Sequence, residues 1–142
     1  MRKTELYFDS IADDFESRIN DYDLMNRLNW FMKVAQRMSL RGKNVLDVGA
    51  GLGHFSDSAA SLGASVIPLD ISTKLAKHLQ TSYPRSVCAS ALALPFGDNT
   101  FDTIVSSECI EHTKCPEKAI MEMIRVVKPG GLLFLTTPNL VW

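Results

Sequence analysis

Glycine stands at every second position in one short stretch of this chain, Gly49, Gly51 and Gly53, with Ala50 and Leu52 between them. The stretch follows an apolar run, Val45-Leu46-Asp47-Val48, and precedes a helical pattern that begins near His54. Glycine lets backbone approach a ligand closely, and the unpaired N–H groups of a following helix start favour negative charge. About 20 residues beyond the turn, Asp70 ends a second apolar run, where a carboxylate can accept hydrogen bonds from both hydroxyls of a ribose. Strand, glycine turn, helix, strand and acid together read as a nucleoside site. The bland alternatives are a tight strand-to-helix turn for the glycines and a cap on the next helix for Asp70. A dinucleotide fingerprint would want Gly or Ala where His54 stands, which counts against a bound pyrophosphate and a nicotinamide oxidoreductase.

Glu108-Cys109-Ile110-Glu111-His112 is the second stretch whose residue types carry chemistry. On a helix, Glu108, Glu111 and His112 would share one face at i, i+3 and i+4. They would then offer oxygen and nitrogen ligands to one divalent ion, Mg²⁺ or Zn²⁺. The other reading has the two glutamates capping or solvating the helix while His112 packs, positions a substrate or acts as its base. His54, inside the glycine turn, reads as structural, and Cys109 and Cys115 as small apolar fillers.

These residues need a scaffold that brings strand ends together. From Asn44 onward short apolar runs alternate with helical stretches, the pattern of βαβ units and a parallel sheet. Strands are expected at 45–48, 65–70, 86–88, 101–106 and 132–136, with Pro68 weakening the second. Helices are expected at 54–62, ended by Gly63; from a Ser72 cap to about Thr81; and from Pro116 to Val127, ended by Lys128-Pro129-Gly130-Gly131. Before the sheet, Phe8, Ile11, Ala12 and Phe15 suggest a helix over 9–17. Leu24, Leu28, Phe31, Ala35 and Met38 suggest a second one capped by Asp21 or Asp23.

The 142 residues suit one domain, and 46% hydrophobic with 22% charged content is ordinary for a globular protein. No stretch approaches the ~18 apolar residues of a membrane span. Fifteen basic and 16 acidic side chains leave a net charge of −1, too little field to hold nucleic acid. A small-molecule partner is expected. Three cysteines without paired or zinc-type spacing point to a reducing, cytoplasmic compartment.

Asp47-Val48-Gly49-Ala50-Gly51-Leu52-Gly53, Asp70, Leu94-Pro95-Phe96, Phe101-Asp102, Glu111-His112 and Val127-Lys128-Pro129-Gly130-Gly131 resemble, in order, the motifs of class I S-adenosylmethionine-dependent methyltransferases. The likeness is to the small-molecule branch that includes 3-demethylubiquinone O-methyltransferase-like enzymes, as Thr136-Thr137-Pro138-Asn139 also suggests. It implies an α/β, Rossmann-like doubly wound parallel sheet with helices on both faces. Residues 1–40 would be helices covering cofactor and substrate, and 41–142 the cofactor-binding core. The family sheet has seven strands and this sequence supplies five, so the last two are missing. This is then a fragment or a reduced member: a bare fifth-strand edge would pair with a second copy, or the chain is a piece of a longer product whose last two strands cover it. Only if neither holds would Pro138 to Trp142 fold back over it.

By position, the resemblance implies S-adenosyl-L-methionine bound along Asp47, Gly49, Ala50, Gly51 and Gly53, with backbone near Gly49 and Gly51 at its methionine end supported by Asp47, Asp70 at the ribose and Ile71 on the adenine. Ser90-Ala91 would meet the adenine edge, Ser90 standing where the family commonly has Asp. Arg27 resembles an arginine that some members place on the cofactor carboxylate; a solvated helix charge is the alternative. Quinone-type members have been assigned metal ligands at the Glu-x-x-Glu-His pattern. The expected function is methyl transfer to a small-molecule acceptor, at oxygen. The alternative is a cofactor-binding module, inactive alone, that works with a partner chain.

Overall fold

A computed structural model describes residues 2–138. Its five strands are β1 (Asn44–Val48), β2 (Ser65–Asp70), β3 (Val87–Cys88), β4 (Phe101–Ser107) and β5 (Val127–Thr136), all parallel in the order β3-β2-β1-β4-β5. Parallel neighbours need crossover connections that place helices on the faces, so the central strands are apolar on both sides. In β1 every residue from Val45 to Val48 is buried. Side chains alternate across the sheet. Leu46 and Ile104 join one apolar layer with Leu69, Phe101 and Met123, whereas Val45 and Val105 join the other with Phe31, Phe55 and Ala59.

The helices are α1 (Arg2–Ile11), α2 (Asp21–Met38), α3 (His54–Ser61), α4 (Thr73–Leu79) and α5 (Pro116–Val126). The buried Ala119, Met123 and Val126 of α5 fill one layer. Phe31 and Ala35 of α2 fill the other with Phe55 and Ala59 of α3. There Phe31 meets Phe55 and Phe134 edge-to-face and the latter two are tilted against each other, with centroids 5.3 to 6.1 Å apart, tying β5 to α2 and α3. Among the described residues no helix is long and apolar enough to cross a membrane.

Several local expectations shift. The helix expected over 9–17 lies earlier, as α1, and gives way to 3-10 turns at Ala12–Asp14 and Glu16–Arg18. Helix α2 is capped by Asn20, whose side chain accepts from the Asp23 N–H at 3.2 Å, rather than by Asp21 or Asp23. Helix α4 stops at Leu79. Strand β5 begins at Val127, opposite Phe101, but the ladder resumes only at Leu132 opposite Thr103. Lys128-Pro129-Gly130-Gly131 therefore loops out within the strand. Pro129 lacks an N–H, and a side chain on Gly131 would strike the Asp102 carbonyl at 2.8 Å. Pro68 is accommodated inside β2, opposite Asp47.

Candidate active site at the strand ends

The strand order reverses between β1 and β4, and ligands of open α/β sheets bind at the carboxyl ends of strands beside such a switch point. A cavity opens there, lined among others by Gly49, Asp70, Ile71, Ser90, Ala91, Glu108, Cys109 and His112. Each comes from the exit of a strand.

The β1 exit explains the glycine spacing. Gly49, Gly51 and Gly53 all have positive φ, 75°, 55° and 90°, a region costly for residues with a Cβ. Gly49 and Ala50 N–H groups donate to the Leu69 carbonyl at 2.8 and 3.0 Å, lashing the turn to β2. A methyl on Gly49 would lie 2.6 Å from the Cys109 sulfur, so this glycine is also required by close approach. Burial pushes the Cys109 thiol up to about 12, which keeps it protonated and non-nucleophilic.

Asp70 holds the next lip together. Its two carboxylate oxygens accept the N–H groups of Gly51 and Ser72, each at 2.9 Å. Burial raises its pKa, against the pull of those bonds. A carboxylate has about four acceptor positions, so two remain for a ligand facing it from the cavity. Asp47 sits behind the turn, 2% exposed, and does not line the cavity. It accepts the Ser56 hydroxyl at 2.7 Å, and burial without a cation raises it to about 7.

The loop after β3 supplies Ser90 and Ala91, with the Ser90 oxygen accepting the Leu92 N–H at 3.2 Å. Arg125 of α5 braces this loop by donating to the Leu94 and Phe96 carbonyls and pairing with Glu122 and Asp98. Glu122 in turn accepts the Leu94 N–H at 2.8 Å, and the Arg125 guanidinium holds its carboxyl down to about 2.

Past β4 the backbone does not form the helix that a shared face for Glu108, Glu111 and His112 would require. Glu108 adopts φ 53°, and only Ile110–His112 form a 3-10 turn, so Glu108, Glu111 and His112 share no helical face. The Glu108 N–H donates to the Thr136 carbonyl and its carboxylate accepts the Thr136 hydroxyl, both at 3.0 Å, which turns the chain toward β5 instead. Glu111 lies outside the cavity lining and accepts the Thr137 hydroxyl at 3.3 Å; its other oxygen is 3.9 Å from His112 Nε2. Among the described residues no three His, Cys, Asp or Glu side chains converge as a metal site. The donor set read from sequence does not fit one ion in this arrangement.

Arg27 donates to the Ser107 hydroxyl at 2.7 Å and to the Asp23 carbonyl at 3.2 Å, 3.9 Å from Glu108. It ties α2 to the end of β4 and lies outside the cavity lining, as do Ala50, Gly51 and Gly53. Sequence reasoning did not assign Phe8, Phe15 and Thr4 of the N-terminal segment to the site individually, yet all three line the cavity. Phe8 meets the His112 ring edge-on with centroids 5.3 Å apart, and Phe15 Cε1 would touch a Cβ on Gly51 at 3.0 Å. Their apolar spacing was visible, but not which surface they would cover.

Residues 46–135 match the family model described as a methyltransferase domain. The chain is 35% identical to the demethylmenaquinone methyltransferase of Renibacterium salmoninarum, over 88% of this chain and 57% of that protein. It is 33% identical to the ubiquinone biosynthesis O-methyltransferase of Pseudomonas putida, over 93% of this chain and 61% of that one. It thus spans somewhat over half the length of these curated relatives. Among solved structures it resembles the [4+2]-cyclase SpnF, with a TM-score of 0.64 and 28% identity over 75% of this chain and 43% of that one. The strand order, the glycine turn and these matches agree: the chain belongs to the S-adenosylmethionine-dependent methyltransferase family, on its Rossmann-like α/β fold.

Proposed function

We propose that the switch-point cavity holds S-adenosyl-L-methionine and that the protein transfers its methyl group to the oxygen of a small, quinone-type ring acceptor. The observation that carries this reading is Asp70, a buried carboxylate on the cavity wall with acceptor positions to spare, bonded directly to the glycine turn. The two ribose hydroxyls would donate to it. Ile71, Ser90 and Ala91, adjoining in the lining, would border the adenine, and backbone at Gly49 the methionine end. The group supplies an electrophilic methyl on a sulfonium, displaced in line by the acceptor. The protein's task is then mainly alignment, exclusion of water and removal of the acceptor's proton. His112 lines the cavity and is the candidate base, with Glu111 3.9 Å from its Nε2. Phe8 and Phe15 in the lining would give an aromatic acceptor apolar surface, and residues 1–40 would serve as cover. Both relatives' names support a quinone-type ring, and that of the ubiquinone biosynthesis O-methyltransferase supports oxygen.

Calorimetry with S-adenosylhomocysteine and transfer assays with labelled cofactor test the reading. Asp70→Ala should weaken binding by about 1.5–3 kcal/mol, the range for hydrogen bonds to a charged group. His112→Ala should leave binding intact and lower turnover by about 10²–10⁴-fold. No binding by the wild-type chain would overturn the proposal. Binding without transfer would favour the alternative, a cofactor-binding module that is inactive alone and works with a partner chain.

A further inference from the structure

We propose that Asp9 is a positioning residue of this cavity: through Ser72 it latches the N-terminal segment over the end of β2 and holds Phe8 and Phe15 against the site. The inference rests on the cofactor reading above and names the contact that controls the cover.

From Thr4 through Asn20 no residue is buried, so the segment is not anchored by the core. It is tied down by a few identified contacts. Asp9 Oδ1 accepts the Ser72 hydroxyl at 2.6 Å and the Lys74 N–H at 3.2 Å, while Lys74 Nζ donates to Asp13 at 2.8 Å. The Lys74–Asp13 pair is exposed and contributes little. The Asp9 bond is different, because Ser72 is also the residue that serves Asp70. Its backbone N–H donates to Asp70 Oδ1 at 2.9 Å, its hydroxyl donates to Asp9, and the same oxygen accepts the Leu75 N–H at 3.2 Å to cap α4. One serine thus links the proposed ribose acid to the covering segment. On either side of Asp9 in sequence, Phe8 reaches His112 and Phe15 reaches Gly51, so the segment bridges both lips of the cavity. Segments with little burial open at low free energy. Removing the latch should therefore let the cover swing away and release a bound ligand faster.

The test uses the full chain with Asp9→Ala, Asp9→Asn, Ser72→Ala and the Asp9→Ala/Ser72→Ala double variant. Hydrogen exchange over residues 4–18 is measured without ligand, and S-adenosylhomocysteine affinity with it. Asp9→Ala should speed exchange in that segment and weaken S-adenosylhomocysteine binding, each by about tenfold, with Asp9→Asn intermediate. The double variant should cost clearly less than the sum of the two singles, because both remove the same Asp9–Ser72 bond. KM for the cofactor should rise while kcat stays within about twofold, a split that general loss of folding would not produce. Unchanged exchange, additive effects, or tighter binding once the cover is freed would each overturn the latch. If the wild type binds no S-adenosylhomocysteine, the cofactor reading fails, and exchange in the ligand-free chain still decides the latch.

Discussion

Asp47 is a carboxylate in the wrong solvent: it lies at the end of β1, its hydrogen bond comes from a neutral serine, and Asp70 and Asp57 add like charge nearby. Its pKa near 7 stands above the ordinary 3.8, so between those values the native state holds a proton that the unfolded chain has lost. Stability must therefore fall as pH rises through that window. Asp47→Asn keeps the acceptor for Ser56 and removes the ionisation. We expect it to match the wild type near pH 4 and to gain on the order of 2 kcal/mol at pH 8, read from urea denaturation at both. Equal stability at pH 8 would mean that water or a cation reaches the carboxylate.

At the scale of elements, α5 and the loop after β3 act as one unit because Arg125 and Glu122 stitch them together. The sign for Glu122 is opposite to that for Asp47. Its folded pKa of about 2 lies below the ordinary 4.5, so its contribution is complete above 4.5 and disappears as pH falls toward 2. Because the pair is partly solvent-exposed, screening leaves about 1 kcal/mol of this contribution. Glu122→Gln should lower the melting temperature at pH 7 and flatten its acid dependence below 4.5. Nuclear magnetic resonance should also report increased motion in Ser90–Leu94, since the Leu94 N–H loses a charged acceptor. A wild-type acid profile in the variant would refute the coupling.

At the scale of the whole molecule, β5 lies at the margin of the sheet, paired with β4 on one side and with no strand on the other among the described residues. Its residues from Leu132 to Thr136 are only half-buried. Such an edge templates pairing with another chain. We propose a homodimer through β5, and sedimentation of the 142-residue chain should show mass rising with concentration toward twice 15.8 kDa. A monomer at every concentration would remove it. The fold-back of Pro138 to Trp142, the reading left if the edge is neither paired nor covered by further strands, falls chiefly on 139–142, outside the described residues. Much of the architecture was legible in the chain itself. Short apolar runs and period-three-to-four apolar patterns are local, and glycines at 49, 51 and 53 are demanded by backbone torsions that no other residue adopts so cheaply. The strand order, the Asp70 bond to the turn and the placement of Ser90 beside it follow from pairings between residues far apart in sequence. The Glu108–His112 stretch had helical spacing, yet Thr136 draws Glu108 into a left-handed turn instead. The Phe8 and Phe15 pattern was likewise visible, but only the fold shows which surface they cover. Local spacing states which side chains can share a face. Which face forms, and what it meets, is decided by the long-range hydrogen bonds and burial that compete with it.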